Sequence, residues 1–394
     1  MHHISSIFSS IRNQLRQTQF LVYTYIIFLT GFYISPNNHL HRNFYYLFVL
    51  LPFLISIDLR NILNCARSTL FKLSFIFLSY FLISMSWTDT PVSGEEVYDI
   101  IRYFFMLICF ILVTISISVN SNQFFDKIKF WLCLIGPVAA IIFMMVFYAA
   151  HNFPYARVAG PFDYTTNPNS AAMFFGFIGI LAFHSALLAK FGRHKIFYWC
   201  SFLVLFIYIL LSQSRGPTFA FIVCLILGFA FEKRWKEIGI IIAFSIGFLC
   251  LIEFGDTGIR SFFGRGIGIR KDLWLETLNR ISQAPLLGEG YFTDVNTRIG
   301  KLALSPHNLL LLVTLKSGIV GGGLLGILFL ASFKHGYANF TVSANWIYIC
   351  LIVFFFICMS VDSVHLLHKP SLGWVIFWLP VSLLAAEEVR RTQL

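Results

Sequence analysis

Long runs of apolar residues separated by short polar connections make up most of this 394-residue chain. A helix needs about 20 mostly apolar residues to cross the hydrocarbon core of a bilayer. The runs of that length predict about twelve membrane-spanning helices, and we expect one polytopic, all-α integral membrane domain over residues 1–394. The predicted spans are 18–35, 43–58, 70–87, 101–119, 130–150, 170–190, 196–213, 217–231, 237–254, 308–332, 342–361 and 371–386.

The longest polar interruption lies between the ninth and tenth predicted spans and covers residues 255–306. Apolar residues at roughly helical spacing, with charged residues between them, run from Ile267 to Ser282. This pattern predicts an amphipathic helix that lies on the membrane surface. Pro285, Gly288 and Gly290 predict a turn after it. We therefore expect a long external loop that contains short helices.

Lys and Arg residues are unevenly divided between the two sets of short loops, and this predicts the orientation in the membrane. If the N-terminus is cytoplasmic, most of them fall in cytoplasmic loops. The basic residues of the short outer loops are only Arg42, Arg102, Arg157, Arg215 and Lys369, and these loops also contain an acidic run. We expect both termini in the cytoplasm and the long loop outside. Long loops cross regardless of their charge, so the basic residues of this loop need another explanation.

The composition agrees with a membrane protein and narrows the chemistry. Of the residues, 58% are hydrophobic and 12% are charged, whereas soluble proteins carry about 25% charged residues. The net charge of +11 would suit a nucleic-acid-binding protein, but no basic-aromatic module supports one. We attribute the excess to orientation signals and an anionic substrate. The eight cysteines include no CxxC pair, so we expect neither a disulfide framework nor a metal site.

Arg260, Arg265 and Arg270 lie close together in the long loop, beside several glycines. Glycine lets the backbone approach a ligand closely, and the guanidinium fork matches phosphate oxygens. A diphosphate group is one candidate ligand, and anionic lipid headgroups are the other. Arg215 follows Ser212-Gln213-Ser214 between two spans. It is either a functional residue, or an arginine whose side chain extends to place its charge at the membrane interface.

His307 follows Pro306 at the head of the tenth span. Histidine accepts a proton near neutral pH, so this residue is a general-base candidate, although a lone interfacial histidine is often merely solvated. Asp362 begins the last outer loop, and it either orients a catalytic group or is an exposed carboxylate. Arg157 lies in an outer loop rich in turn formers, and it either lines the site or belongs to a tight connection. His365 and His368 are spaced like a metal pair, but no third ligand is evident.

Taken together, these motifs resemble the O-antigen ligase and O-antigen polymerase family of bacterial membrane glycosyltransferases. The resemblance covers the whole chain in topology, and each motif is short. The matching elements, in chain order, are Arg157-x-x-Gly160 with Asn167-Pro168-Asn169, Ser212-Gln213-Ser214-Arg215-Gly216, Arg270 to Trp274 with Pro285 to Gly290, and His307-Asn308 followed by Gly318 and Gly321.

The resemblance implies a metal-independent, GT-C-like enzyme of the bacterial inner membrane that needs no cofactor. It would transfer an O-antigen glycan from undecaprenyl diphosphate to a sugar hydroxyl of lipid A-core at the periplasmic face. Carried over to this chain, His307 is the base, and Arg215 and Arg270 hold the diphosphate. The remaining site residues implied are substrate-binding positions, namely Arg157, Arg265, Asn308 and Asp362. Membrane lipids are further expected partners, and nucleic acid is not.

Two other functions remain open at this point. An O-antigen polymerase uses the same donor class, but its acceptor is another lipid-linked glycan. A transporter of lipid-linked glycans commonly has ionisable residues at mid-membrane. Here the main cationic cluster lies in the outer loop, and Lys316 is the only basic residue clearly inside a predicted span. That distribution favours an enzyme.

Overall fold

The computed structural model describes residues 19–56, 59–190, 192–241, 268–299, 302–362 and 365–393. Helices dominate this part of the chain, and one short hairpin joins them. The helices, numbered in chain order, are α1 Phe20–Ile34, α2 Asn38–Phe44, α3 Leu51–Ser56, α4 Leu59–Cys65, α5 Thr69–Ile83, α6 Gly94–Asn120, α7 Phe124–Tyr148, α8 Pro168–Leu188, α9 Arg193–Leu211, α10 Arg215–Phe231, α11 Gly268–Gln283, α12 Leu309–Ser343, α13 Ile347–Val361 and α14 Leu379–Gln393.

Shorter elements complete the described chain. Two π-helical segments, Tyr45–Leu50 and Trp374–Trp378, lead into α3 and α14, and a 3₁₀ segment, Ser84–Trp87, follows α5. The strands β1 Thr297–Ile299 and β2 Leu302–Leu304 form an antiparallel hairpin within the long loop. The sequence did not predict this hairpin, because three-residue strands are too short to show an alternating pattern.

Six described helices are long and apolar enough to cross a membrane, namely α5 with its 3₁₀ extension, α6, α7, α8, α9 and α12. Three shorter apolar helices, α1, α10 and α13, accompany them. The predicted all-α, polytopic membrane protein is thereby confirmed. The count of about twelve spans stays a prediction, since residues 242–254 of the ninth predicted span lie outside the described residues.

The described helices often begin before the apolar runs that predicted them. The clearest case is α6, which begins at Gly94 although the apolar run suggested residue 101. The Ser93 side chain accepts from the Glu96 amide, and the Glu96 carboxylate accepts from the Ser93 amide. This capping box satisfies backbone donors that a helix start leaves open, so the polar residues ahead of the span are helical too.

The core lies around α8, α13 and the final helix. In the most apolar window of α8, 89% of the residues are buried, compared with 22% in α9. A helix that is apolar all round is normally buried by neighbours or by lipid, so α8 is central and α9 faces outward. Helix α8 packs against α7, α9, α10 and α13. It thereby links the loop before it to the helices that carry the other motifs.

Helix α12 is interrupted at Gly318, whose φ of 66° and ψ of −172° lie in a region open only to glycine. The predicted span 308–332 corresponds to the first part of α12, and sequence analysis did not predict this interruption. The break frees two backbone acceptors: the Leu315 carbonyl accepts from the Glu289 amide at 2.8 Å, and the Lys316 carbonyl accepts from the Gly290 amide at 2.9 Å. Non-helical backbone at membrane depth requires such partners.

The predicted turn at Pro285–Gly290 is the segment that fills this break. The Ile319 amide donates to the Pro285 carbonyl at 2.8 Å, so the turn bonds to α12 on both sides of Gly318. A Cβ on Gly288 would lie 2.5 Å from the Gly318 nitrogen. Glycine at both positions lets the two backbones touch, which joins the long loop to α12 below His307.

Candidate active site

His307 stands in a strained backbone conformation directly before α12. Its φ is 47°, a left-handed value that only a few per cent of residues other than glycine adopt. The flanking residues are fixed on both sides. The Trp274 indole donates to the Pro306 carbonyl at 2.8 Å, and the Asn308 side chain caps α12 by accepting from the Leu311 amide at 3.1 Å.

His307 differs from the other described non-glycine residues with positive φ in its position relative to a helix. The others are Gln213, Lys233 and Ala344, and each lies at a helix C-terminus, where left-handed residues are common. His307 instead precedes a helix. Strain without a capping explanation tends to occur where function requires a particular side-chain position.

The His307 imidazole is oriented by Asp362, which follows α13. Nδ1 lies 3.2 Å from Asp362 Oδ1, while 43% of the His307 side chain and 17% of the Asp362 side chain are exposed. A carboxylate only accepts, so a neutral imidazole bonded to it carries its hydrogen on Nδ1. Nε2 then bears the lone pair, and the ring is exposed enough for a substrate hydroxyl to reach it.

Asp362 is in turn joined to α8 by Asn169. The Asn169 Nδ2 donates to Asp362 Oδ2 at 3.3 Å, and its Oδ1 accepts from Arg157 Nη2 at 2.9 Å. The first turn of α8 fixes Asn169, because the Asn167 side chain caps the helix and Pro168 begins it. Three segments that are distant in sequence, namely residues 157–169, the start of α12 and the end of α13, thus meet around one carboxylate.

Arg157 connects this group to the Ser212–Arg215 segment. Its Nε donates to the Ser212 carbonyl at 3.1 Å, and Nη2 donates to Ser214 Oγ at 3.3 Å. The Val158 amide also donates to the Leu211 carbonyl at 3.1 Å. The two motifs that sequence analysis placed in separate outer loops therefore form one structural unit.

Arg215 begins α10 beside this unit, and its side chain is half-buried. The next residue, Gly216, lies so close to Val361 that an added Cβ would collide with the valine side chain. The start of α10 therefore packs against the end of α13, one residue before Asp362. This packing brings the Arg215 backbone to the same end of the bundle as the His307–Asp362 pair.

Arg270 lies in the first turn of α11, as the amphipathic pattern predicted, and this helix packs on α12 and β1. Residues four apart share a helix face, so Arg270 is one turn from Trp274 on the face that holds Pro306. Further along α11, Arg280 pairs with both oxygens of Glu289, at 3.0 and 2.5 Å, and ties the helix to the turn in the α12 break.

For three of the predicted site residues, Arg265, Asn308 and Arg270, the structure gives no direct support for the predicted role. Arg265, with Arg260, lies outside the described residues. The Asn308 side chain caps α12 and also donates to the Ser360 carbonyl at 3.1 Å, so these two bonds use one of its two N–H groups and one of its two oxygen lone pairs. The diphosphate-binding role that the resemblance implies for Arg270 stays a prediction.

A second polar cluster lies beneath the site. Lys316 is 7% exposed, and its Nζ lies 4.6 Å from the centre of the Tyr291 ring, a favourable cation–π arrangement. Lys316 and His365 both line a cavity of about 10 Å³. His365 stacks on His368 with ring centres 5.3 Å apart. Burial is the largest of the causes that lower the pKa of the His368 imidazole to about 3, and the neighbouring His365 and Lys369 lower it further. Among the described residues, no group of three or more His, Cys, Asp or Glu side chains is arranged to hold a metal ion.

Sequence analysis missed the bridging role of Asn169 and the anchoring role of Trp274. A partial signal existed for Asn169, since Asn167-Pro168 is a helix start and therefore places Asn169 at the outer end of α8. The contact with Asp362 spans 193 residues, and nothing local in the sequence indicates it.

Comparison with known proteins agrees with the family resemblance of the motifs. The family model described as O-antigen ligase matches residues 200–326, which include Arg215, Arg270, His307 and the break in α12. An O-antigen ligase of Pseudomonas aeruginosa is 25% identical over 377 residues, covering 92% of this chain and 89% of that protein. Both comparisons agree with the resemblance seen in the motifs: the chain is similar to an O-antigen ligase over most of its length, and the family model covers the segment from the Arg215 motif to the break in α12.

Proposed function

We propose that this protein is an O-antigen ligase that transfers a glycan from undecaprenyl diphosphate to a sugar hydroxyl of lipid A-core. The observation that carries the proposal is the His307–Asp362 pair, whose half-exposed imidazole stands at the mouth of α12 in a strained backbone. Donor and acceptor are both lipid-borne, so their reacting groups meet just above the membrane. A base at a helix mouth is at that level.

The reaction begins with a proton transfer to His307. Nε2 takes the proton of the acceptor hydroxyl as its oxygen attacks the anomeric carbon of the donor glycan. The new glycosidic C–O bond forms while the bond from that carbon to the diphosphate oxygen breaks, and its electron pair leaves with undecaprenyl diphosphate. Asp362 stabilises the imidazolium that results and holds its ring in place.

Arginine side chains offset the charge that grows on the leaving diphosphate. Arg215 and Arg270 are assigned this role, because guanidinium groups pair with two phosphate oxygens at once and remain charged. Arg157, Arg265 and Asn308 are assigned to substrate binding, together with any direct contact that Asp362 makes. Since the diphosphate is already an activated leaving group, the reaction needs neither a nucleotide nor an additional cofactor in this proposal.

The proposed location is the bacterial inner membrane, with both termini in the cytoplasm and the site on the periplasmic side. The division of Lys and Arg between the short loops supports this orientation. It also places the site where lipid-linked glycans and lipid A-core are exposed to the same aqueous compartment.

The test is transfer by the purified protein in nanodiscs, with undecaprenyl-diphosphate glycan and lipid A-core and with EDTA present. We expect glycosylated lipid A-core from the wild type and a loss of about 10²- to 10⁴-fold for His307→Ala, the usual range for a general base. His194→Ala, at an exposed position at the start of α9, is the matched control and should transfer normally.

Two outcomes would redirect the assignment. Product made only with a second lipid-linked glycan as acceptor would identify a polymerase. Movement of lipid-linked glycan between leaflets, with no joining to any acceptor, would identify a transporter. Normal transfer by His307→Ala would remove the proposed base.

A further inference from the structure

We propose that Asn169 is a positioning residue for the reaction, because its amide connects Arg157 to Asp362 and thereby holds the carboxylate that orients His307. This inference rests on the proposed function of the His307–Asp362 pair. It assigns a role to a residue that does not touch the reacting atoms.

The polarity of this contact admits only one arrangement of the Asn169 amide. Arg157 can only donate hydrogen bonds, and an ionised Asp362 can only accept them. A side chain between them must accept on one side and donate on the other. The amide meets both requirements, with Oδ1 2.9 Å from Arg157 Nη2 and Nδ2 3.3 Å from Asp362 Oδ2. The neighbours therefore fix which atom is oxygen and which is nitrogen.

The amide binds one of the two carboxylate oxygens of Asp362. Its Nδ2 donates to Oδ2, and its Oδ1 accepts from Arg157, so the hydrogen bonds of Asn169 link the guanidinium to the carboxylate. Asp362 keeps its second oxygen, Oδ1, directed at His307 Nδ1, 3.2 Å away.

The backbone of Asn169 is well placed to hold a fixed position. Its amide nitrogen donates to the Asn167 side chain at 2.8 Å, in the first turn of the most buried described span. The Arg157 guanidinium also donates from Nε to the Ser212 carbonyl and from Nη2 to the Ser214 hydroxyl, which hold it in place. The orientation of Asp362 is therefore set by two rigid elements, α8 and the start of α10.

The experiment compares Asn169→Leu and Asn169→Asp in the nanodisc transfer assay. Leucine has a similar size but neither hydrogen-bonding group, and we expect kcat to fall about 10- to 100-fold, the range for partners that orient a functional side chain. The KM values for donor and acceptor should stay within about twofold, because a change confined to the chemical step lowers kcat and kcat/KM together. Asn120→Leu, at the exposed end of α6, is the matched control.

Asn169→Asp supplies a pH-dependent readout that a purely structural role would not produce. A protonated aspartic acid has an O–H donor and a carbonyl acceptor, so it reproduces the polarity of asparagine, whereas the ionised form faces Asp362 with a like charge. The activity of Asn169→Asp relative to the wild type should therefore rise as the pH falls. The relative activity of Asn169→Leu should be independent of pH.

A measurement without substrates separates this inference from the proposed function. ¹⁵N NMR of the histidines should show Nδ1–H as the dominant His307 tautomer in the wild type, and a mixture of tautomers in Asn169→Leu. An unchanged tautomer together with unchanged kcat would overturn the inference, and so would a rise in KM at constant kcat. If the wild type has this tautomer but transfers no glycan, the proposed function fails and the positioning role stands.

Discussion

Asp362 follows α13 and Glu388 lies in α14, and the difference between the partners of these two carboxylates separates the site from the scaffold. Glu388 accepts from Ser68 Oγ and the Thr69 amide, both at 2.8 Å, at the start of α5. Asp362 accepts from Asn169 and from His307. Both join elements far apart in sequence. Asp362 is hydrogen-bonded directly to a side chain, His307, that can change its charge and is also open to solvent.

The environment of Glu388 is that of a helix cap. Its oxygens satisfy backbone donors that the first turn of α5 leaves unpaired, and its charge lies at the positive end of the helix dipole. Two residues later, Arg390 pairs with Glu387 at 2.7 Å and with the Ser118 carbonyl, which ties α14 to the end of α6. These bonds stabilise packing, and nothing in them responds to a substrate.

The largest expected effect is at the site. Asp362→Asn keeps the size of the side chain but can donate to Nδ1, which favours the tautomer with hydrogen on Nε2 and so removes the base. We expect kcat to fall about 10³- to 10⁴-fold, as in hydrolases with the same substitution beside a catalytic histidine. Steady-state transfer rates measure it, and the thermal midpoint in detergent should change little. Retained transfer would place Asp362 with Glu388, among the structural carboxylates.

The next effect concerns stability rather than rate and lies at the break in α12. Gly318→Ala places a Cβ against the Leu286 carbonyl in a conformation that alanine avoids. We expect a loss of ~3 kcal/mol of unfolding free energy, from backbone strain and steric overlap. Gly323→Ala is the control, since no heavy atom lies within 4 Å of its added Cβ. Equal thermal midpoints for the two variants would contradict the constraint seen at Gly318.

Glu388→Gln tests the carboxylate that is assigned to the scaffold. The amide retains an acceptor but loses the charge at the start of α5, so we expect ~1 kcal/mol of lost stability. The rate of transfer at 25 °C should equal that of the wild type. Thermal unfolding followed by tryptophan fluorescence, in parallel with the transfer assay, measures both quantities. A lower kcat with unchanged stability would mean that α5 and α14 communicate with the site.

The residues that sequence analysis identified are those that stand out locally. His307 and Arg215 are polar residues at the edges of apolar runs. Because placing an ionisable side chain in a membrane segment costs free energy, a functional role is the default expectation for them. The partnership of Asn169 with Asp362 depends on how α8 packs beside α13, and no local pattern encodes it. The break at Gly318 was missed for the same reason, since it is permitted only by the docking of Pro285–Gly290.

The smallest effect tests whether the strain at His307 is maintained from a distance. Trp274→Phe keeps an aromatic side chain but removes the indole donor to the Pro306 carbonyl, the residue before the strained φ. A lost hydrogen bond of this kind costs ~1 kcal/mol, which corresponds to about a fivefold lower kcat if the bond serves the reactive conformation. Trp235→Phe, at a position 67% exposed, controls for loss of an indole. If both variants transfer at the wild-type rate, the position of His307 is fixed by Asp362 and Asn308, and α11 contributes Arg270 without anchoring the base.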